Sequence, residues 1–181
     1  MKVKVTPSKV HGNVKIPASK SMAHRALICA SLSDGTSIVS NVTNSKDIEA
    51  TVGCMKALGA IIKQIDETTY EVTGTNLFKQ EGNITCNANE SGSTLRFLIP
   101  LAACTNAKVK FLGQGRLLQR PMDVYENEFK KQNIEFNQSD KEIIVSGNLK
   151  AKDYVVQGDI SSQFITGSVS YTHLTLPTTS R

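Results

Sequence analysis

The sequence is poor in aromatic residues and has no strong excess of charge of one sign. It contains no tryptophan, six phenylalanines and four tyrosines, and its formal net charge is +5. No aromatic residue lies in an RNA-recognition pattern, and the lysines and arginines are scattered through the chain. The composition therefore argues against a nucleic-acid partner. The positive charge is explained either by a solvated basic surface or by small anionic substrates.

Metal-binding motifs are absent as well. No two cysteines form a C-x-x-C pair, and no histidine lies at ligand spacing from a cysteine or an acidic residue. We therefore expect no bound metal, and we expect the cysteines to be small buried hydrophobic residues. The residues concerned are Cys29, Cys54, Cys86 and Cys104 with His11, His24 and His173.

Long apolar runs are also missing. The first residues contain no stretch of signal-peptide length, and no segment approaches the roughly 20 apolar residues of a membrane span. The P-loop, the dinucleotide-binding G-x-G-x-x-G and the hydrolase G-x-S-x-G motifs do not occur. These absences predict a reduced, cytoplasmic protein that uses no cofactor and has no membrane partner. With 39% hydrophobic residues among 181, the chain can still bury the core of one good-sized domain.

The sequence does contain an internal duplication. Each copy alternates extended segments with helical patterns, and the strand-end signals Val72-Thr73-Gly74 and Val145-Ser146-Gly147 are 73 positions apart. The first copy comprises residues 15–21, a helix at 22–32, an extended segment at 37–40, a helix at 47–58 and a strand at 70–74. The second comprises an extended segment at 84–87, a helix at 94–103, an extended segment at 108–112, a helix at 122–131 and a strand at 142–147.

A third copy begins at residues 154–159 and places Ser161-Ser162-Gln163 at a helix start. The alternation predicts an α/β fold of repeated units that share their cores. If the copies pack around an approximate threefold axis, their helix starts converge on one mouth. Apolar residues at helical spacing are the predicted core, namely Ala26, Leu27, Ala30, Leu32, Met55, Leu58 and Ile62.

The third copy does not continue like the others. Residues 168–181 are rich in threonine and serine, contain Pro177 and show no helical period. We interpret this segment as a foreign or out-of-frame tail, to be left out of reasoning about the fold. The alternative is a genuine C-terminal extension.

The predicted helix starts carry residues that suit anions. In the first copy, Lys20 and Ser21 lie at the turn, and Arg25 follows on the same side one turn later. Free N–H groups, the helix dipole and these side chains together favour a carboxylate or a phosphate. The alternative for this segment alone is an N-cap serine beside two solvated cations.

The predicted helix starts of the other two copies indicate anion binding more weakly. Ser91-Gly92-Ser93 precedes Arg96, and Gly92 would let a ligand approach the backbone closely. Gly113-Gln114-Gly115-Arg116 leads to Arg120, so this loop could also hold an anion. Ser161-Ser162-Gln163 offers hydroxyl and amide groups without a repelling negative charge. A plain turn, a surface loop and an ordinary N-cap are the respective structural alternatives.

Four segments, taken in order, resemble the signatures of the 5-enolpyruvylshikimate-3-phosphate synthase family. Residues 17–25 resemble its S-K-S-x-x-x-R signature, and residues 89–96 resemble a variant of its N-x-G-[TS]-x-x-R signature. Arg120-Pro121-Met122 resembles its R-P-[MI] element, and residues 158–164 resemble its G-x-x-S-S-Q element. The resemblance covers the chain up to Gly167 and leaves out the tail.

The resemblance implies a fold of two similar domains, each of three α/β copies with helices inside and sheets outside. Residues 1–14 would then form a strand of the second domain, and residues 15–167 an N-terminal domain with a truncated third copy. The implied activity is transfer of the enolpyruvyl group from phosphoenolpyruvate to shikimate 3-phosphate. The implied full-length protein is a monomer that needs no cofactor.

The resemblance also implies roles in holding shikimate 3-phosphate. Ser21 and Arg25 would contact its ring and carboxylate. Ser161 and Ser162 would bind its phosphate, with Gln163 beside the ring.

Phosphoenolpyruvate would lie against Lys20, Gly92 and Arg120. Lys20 is the residue expected to provide charge and to move a proton between the substrates. The family's catalytic Asp, a Glu–Lys pair and further arginines belong to the second domain and have no counterpart here. The chain alone is therefore expected to be inactive.

Alternatives remain open at this point. The sister family of UDP-N-acetylglucosamine enolpyruvyl transferases typically has Lys-Asn where this chain has Lys20-Ser21, and a reactive cysteine where it has Gly115. A non-catalytic anion-binding module and a structural repeat protein without a ligand are the other two. Glu90 departs from the Asn or Ser of many family members and adds a negative charge near phosphoenolpyruvate.

Overall fold

Two β-sheets and five α-helices form the described part of this chain. The computed structural model describes residues 3–4, 6–7, 9, 11–14, 16–150 and 161–175, the side chains of the last five excepted. The helices are Lys20–Leu32 (α1), Lys46–Ala57 (α2), Gly92–Ala102 (α3), Asp123–Lys130 (α4) and Ser162–Thr175 (α5). The strands are Thr36–Val39 (β1), Ile61–Gln64 (β2), Tyr70–Thr73 (β3), Glu81–Asn87 (β4), Asn106–Leu112 (β5), Glu135–Gln138 (β6) and Ile143–Ser146 (β7). The predicted α/β class is confirmed.

The two sheets repeat the same topology. The first has the antiparallel order β1-β3-β2, and the second has the corresponding order β5-β7-β6 with β4 added parallel to β5. The registers correspond as well, because Thr36 faces Thr73 in the first sheet and Lys108 faces Ser146 in the second. The internal duplication predicted from the spacing of the strand ends is therefore present in the strand pairing.

Helix α3 lies at the centre of the core because every residue from Phe97 to Ala102 is apolar and buried. Leu95, Leu98, Ile99 and Leu101 are fully buried, and the helix packs against α1, α2 and α5 and against β5 and β7. A helix without a polar face is stable only when other elements surround it. Each buried leucine stabilises the fold by about 1.5–3 kcal/mol. The burial of α3 also fixes the position of its first turn, which lies near the starts of α1 and α5.

Pro100 interrupts the hydrogen bonding of α3, and the fold compensates for the interruption. Proline has no N–H, so the carbonyl of Arg96 one turn earlier loses its helical donor. The hydroxyl of Tyr125, from α4, donates to that carbonyl oxygen at 2.6 Å. The Tyr125 ring also packs edge-on against Phe164 of α5, with 4.9 Å between the centroids. One side chain therefore joins α4 to both α3 and α5.

Two strands were not predicted from the sequence patterns. Strand β2 buries only Ile62, and β6 half-buries only Phe136, while their other side chains are exposed. A strand with one inward-facing apolar residue gives too weak an alternation to be recognised. Both strands form because they pair with β3 and β7 across tight turns.

The predicted core is largely correct, with corrections on α1. Ala26 lies on the exposed side of that helix, and Leu32 is only half-buried. Cys29 is exposed, contrary to the expectation that all the cysteines are buried. The remaining predicted core residues and cysteines are buried, namely Leu27, Ala30, Met55, Leu58, Ile62, Cys54, Cys86 and Cys104.

Residues 168–175, which lack a helical pattern in the sequence, nevertheless continue α5 to its end. Gly167 allows α5 to lie close to α3, since a Cβ there would be 2.7 Å from the carbonyl oxygen of Arg96. The hydroxyls of Ser168 and Ser170 donate to carbonyl oxygens one turn earlier, at 3.0 and 2.9 Å. Helix packing against α3 outweighs the weak helix propensity of the segment, and the serine hydroxyls satisfy themselves within the helix.

Some predictions concern segments that are described only in part or not at all. The predicted start of the third copy at 154–159 lies outside the described residues, as do several positions of the strand at 1–14. The assignment of residues 1–14 to a second domain, the domain bounds 15–167 and the foreign origin of 168–181 stay predictions. Within the described residues, no helix has the length and apolarity to cross a membrane, and no acidic, histidine or cysteine cluster could hold a metal ion.

We expect Gly74→Ala to destabilise the fold and Gly53→Ala to stabilise it. A Cβ at Gly74 would overlap the backbone carbonyl of Ser33, which cannot swing aside as a side chain can, and such overpacking costs about 1–3 kcal/mol. Gly53 is exposed in α2 with open space at its Cβ position, where alanine is favoured by about 0.5–1 kcal/mol. Urea unfolding measures both changes. Equal stability of the two variants would contradict the packing at Gly74.

Candidate functional site

The first turn of α1 exposes two of the predicted anion-binding residues. Ser19 caps this helix by accepting a hydrogen bond from the backbone N–H of Met22 at 3.3 Å. The N–H groups of the first helical residues have no acceptor inside a helix, and they carry the positive end of its dipole. The side chains of Lys20 and Ser21 are exposed at this end. The turn therefore presents ammonium, hydroxyl and amide donors together.

Arg25, one turn further along α1, is held where three helices meet. One of its Nη atoms donates to the carbonyl oxygen of Ser21 at 2.9 Å and also to the Ser21 hydroxyl. The other donates to the hydroxyl of Thr166 in α5 at 2.9 Å. The guanidinium carbon lies 5.1 Å from the ring centroid of Phe97 in α3, within the range of a cation–π contact.

Lys20 pairs with Asp47, a residue that sequence reasoning did not identify as functional. Its Nζ lies 2.5 Å from Oδ2 of Asp47 in the first turn of α2. The hydrogen bond from Lys20 is the main reason that the pKa of Asp47 is lowered, and the Ser91 hydroxyl contributes in the same direction. The Lys20 side chain stays 55% exposed, so its ammonium remains accessible to a ligand. An exposed pair of this kind adds little stability, and its effect is to orient the ammonium.

Gly92 opens α3 and has two guanidinium groups beside it. The N-cap Ser91 accepts from the backbone N–H of Thr94 at 3.2 Å. A Cβ at Gly92 would overlap Nη1 of Arg120 and would lie 3.5 Å from Nη1 of Arg96. Glycine leaves this turn clear of the Arg120 guanidinium group, whereas the 3.5 Å distance to Arg96 would be an ordinary contact. A helix start without a Cβ, flanked by two guanidinium groups, suits a phosphate or a carboxylate.

Arg96 ends the sequence motif at residues 89–96, but it was not among the residues predicted to bind substrate. Its Nη1 donates to Oε1 of Gln163 at 2.8 Å, and its Cζ lies 5.3 Å from the ring centroid of Phe164. Burial lowers the pKa of Arg96, and the positive charge of Arg120 lowers it further. Its buried Nε has no hydrogen-bond partner among the described residues. A bound anion would relieve the repulsion between the two guanidinium groups.

The start of α5 lies against the start of α3. The side-chain amide of Gln163 donates to the hydroxyl of Ser93 at 2.7 Å, while its oxygen accepts from Arg96. The Ser161 hydroxyl accepts from the backbone N–H of Gln163 at 3.3 Å, in the manner of an N-cap. Ser162 is exposed in the same turn. The hydroxyl pair therefore opens beside the guanidinium group of Arg96.

The glycine-rich loop at 113–116 lies against the turn that precedes α3. The N–H of Gln114 donates to the carbonyl oxygen of Asn89 at 2.6 Å. Gly115 adopts a positive φ of 59°, and a Cβ there would be 2.5 Å from Oε1 of Glu90. The exposed carboxylate of Glu90 therefore lies over Gly115, on the loop side of the site.

All the predicted site residues thus lie on or beside the first turns of α1, α3 and α5. Contacts of Arg25 join α1 to α5, contacts of Gln163 join α3 to α5, and Asp47 joins α1 to α3. Four cationic side chains lie on or beside these helix starts, namely Lys20, Arg25, Arg96 and Arg120, and the carboxylate of Asp47 pairs with Lys20. The chemistry of the cluster is therefore anion binding.

Sequence reasoning missed Asp47 and Arg96 for different reasons. Asp47 is 27 positions from Lys20 and carries the ordinary pattern of an acidic residue in a first helical turn. Arg96 was visible because it follows Ser91-Gly92-Ser93 at helical spacing, and that signal could have placed it beside Gly92.

Comparison with solved structures supports the fold. An EPSP synthase from Acinetobacter baumannii superposes with a TM-score of 0.74 at 19% sequence identity, covering 88% of this chain and 38% of that one. A second structure of EPSP synthase from the same organism superposes with a TM-score of 0.70 at 18% identity, covering 86% of this chain and 37% of that one. The predicted enolpyruvyl transferase fold, present here in part, is therefore confirmed.

Sequence comparison gives closer relatives. The 3-phosphoshikimate 1-carboxyvinyltransferase of Clostridium perfringens strain SM101 is 47% identical over 168 residues, which are 92% of this chain and 39% of the relative. The protein of the same name from Clostridium kluyveri is 47% identical over 167 residues, with 91% and 39% covered. The chain thus spans about two fifths of the length of these curated relatives.

The family profile described as EPSP synthase (3-phosphoshikimate 1-carboxyvinyltransferase) matches residues 4–174, nearly the whole chain. The match includes all the helix starts described above. This chain belongs to the EPSP synthase family.

Proposed function

We propose that this chain is part of an enzyme that transfers the enolpyruvyl group of phosphoenolpyruvate to shikimate 3-phosphate. The products would be 5-enolpyruvylshikimate 3-phosphate and inorganic phosphate. The observation that carries the proposal is that the N-terminal parts of α1 and α3 both contact α5, with Arg96 and Arg120 beside Gly92 and with Lys20 and Arg25 on α1. Both substrates are small anions, and such a cluster suits them. The names of the curated relatives support the same reaction.

Shikimate 3-phosphate would bind between α1 and α5. Arg25 and Ser21 already share a hydrogen bond, so their donors are oriented together for the carboxylate and ring hydroxyls. Ser161 and Ser162 would donate to the phosphate at the start of α5. Gln163 would lie beside the ring, held in place by its bond to Arg96.

Phosphoenolpyruvate would bind between α1 and α3. Gly92 would leave room for the anion at the helix start, and Arg120 and Arg96 would neutralise it. Lys20, oriented by Asp47, would lie between the two substrates. Charge-assisted hydrogen bonds of this kind are worth about 1.5–3 kcal/mol each.

The proposed reaction adds and then eliminates. The enol methylene of phosphoenolpyruvate gains a proton, and the substrate hydroxyl attacks the neighbouring carbon as it loses its own proton. Phosphate then leaves with its bonding electrons, and loss of a methyl proton restores the double bond. Lys20 would stabilise the charge and exchange protons at this carbon.

The general base that the family resemblance assigns to a second domain has no counterpart in this sequence. The chain alone would therefore bind substrate without turnover. We place the complete enzyme in the cytoplasm, as a monomer.

We expect shikimate 3-phosphate to bind the native chain. We expect this binding to be lost in the Lys20→Ala, Arg25→Ala double variant. The double variant removes two cations from the proposed site, and a loss of about 3 kcal/mol corresponds to more than a hundredfold in affinity. Calorimetric titration measures the change.

The matched control is the Lys63→Ala, Lys141→Ala double variant, which removes the same charge from exposed positions on the sheet side. Equal weakening in both double variants would reduce the effect to net charge and contradict a specific site. Saturable binding that survives the loss of Lys20 and Arg25 would contradict it as well.

We expect Gly92→Ala to weaken the binding of phosphoenolpyruvate about tenfold, or about 1.4 kcal/mol, without unfolding the protein. The added Cβ meets the end of the Arg120 side chain, which can move away but then leaves the anion. Chemical-shift titration of the chain in the presence of shikimate 3-phosphate gives the affinity, and thermal unfolding gives the stability. An unchanged affinity would contradict a role for Arg120 in binding phosphoenolpyruvate.

A further inference from the structure

A buried chain of hydrogen bonds runs beneath the cationic cluster from α1 to α3. His24 Nδ1 lies 2.7 Å from the hydroxyl of Thr51, and that hydroxyl lies 2.7 Å from the hydroxyl of Thr94. The Thr94 hydroxyl donates to that of Ser91 at 2.8 Å and lies 3.3 Å from the carbonyl oxygen of Asp47. His24, Thr51, Thr94 and Ser91 are each no more than 2% exposed. Buried polar groups of this kind need a partner for every donor.

Counting the protons fixes the direction of this chain. Thr94 donates its hydroxyl proton to Ser91, and a hydroxyl has only one proton to donate. The contact between Thr51 and Thr94 therefore uses the proton of Thr51, and the contact between His24 and Thr51 is left without a hydroxyl proton. The third proton must come from His24, which therefore carries it on Nδ1. The longer contact of Thr94 with the carbonyl oxygen of Asp47, at 3.3 Å, cannot use the same proton.

The surroundings of His24 agree with a neutral ring in that form. Its Nε2 is buried and has no hydrogen-bond partner among the described residues, so a proton there would be an unpaired buried donor. Burial lowers the pKa of His24 to about 4, while the charge of Asp47 raises it and the charges of Lys20 and Arg25 lower it. Its ring also packs edge-on against Phe97, at 6.2 Å between the centroids.

We infer that His24, Thr51 and Thr94 form a directed hydrogen-bond relay that, through Ser91, positions Asp47 and thereby the ammonium of Lys20. The relay joins the second turns of α1 and α2 to the first turn of α3 and is buried, so its members are positioning residues. Because the hydroxyl of Ser91 receives the backbone N–H and the hydroxyl of Thr94, its own proton is left for another acceptor, and this hydroxyl contributes to the lowered pKa of Asp47. The importance of Lys20 rests on the proposed function, but the geometry of the relay does not.

The first test needs no substitution. Long-range ¹H–¹⁵N correlation spectra of the whole chain at pH 7 distinguish the two neutral forms of the His24 ring. We expect the Nδ1–H form, the opposite of the Nε2–H form that free histidine favours in water. A spectrum showing the Nε2–H form or a charged ring would overturn the relay.

The second test follows Asp47. Carboxyl ¹³C titration is compared in the native chain, Thr51→Val and Thr51→Ser, since valine keeps the shape of threonine and serine keeps its hydroxyl. We expect the midpoint for Asp47 to rise in the valine variant and to return to the native value in the serine variant. Thr36→Val is the control, because it removes a hydroxyl pair, Thr36 to Thr73 at 2.9 Å, on an exposed strand. An unchanged midpoint in Thr51→Val would overturn the positioning role.

Neither test uses a substrate, so their outcomes are separate from those of the titration with shikimate 3-phosphate. A chain with the expected His24 form and the expected Asp47 response that fails to bind shikimate 3-phosphate would keep the relay and contradict the proposed function. A chain that binds shikimate 3-phosphate but carries the Nε2–H form of His24 would support the proposed function and contradict the relay.

Discussion

The burial of α3 is the constraint on which the rest of this structure depends. The helix is apolar on all sides from Phe97 to Ala102, so α1, α2, α5 and the second sheet surround it. Its first turn is the one place where polar residues can reach solvent, and the neighbouring helices begin there too. The same packing that removes the leucines of α3 from water therefore brings the helix starts together. The C-terminal part of α3 lies in the core, and its N-terminal turn lies at the site.

The charges of the site are arranged at some cost to the free protein. Arg96 and Arg120 flank Gly92, and the positive charge of one opposes that of the other. Asp47 offsets part of the positive charge of the cluster, and it is paired with Lys20. The two guanidinium groups repel each other when the site is empty, and a bound anion relieves this repulsion. The site is therefore electrostatically complementary to an anionic ligand.

Polar groups inside the core are paired by neighbours from other elements. The carbonyl of Arg96 that Pro100 cannot satisfy is satisfied by Tyr125, and the hydroxyls of Thr51 and Thr94 satisfy each other between α2 and α3. Such pairs rigidify the contacts between helices, because moving either helix would leave a buried group without a partner. The start of α3 is thus held from beneath by hydrogen bonds as well as by apolar packing.

The sequence by itself determined the α/β class, the duplication and the positions of the helix starts. Hydrophobic period and capping residues such as Ser19 and Ser91 act over a few neighbouring positions, so they can be read from the chain directly. The roles assigned to the site residues stay predictions. Only the tertiary structure decided that Lys20 meets Asp47, that Arg96 meets Gln163 and that α5 continues past Gly167. These contacts depend on which helices pack together, and local patterns do not contain that information.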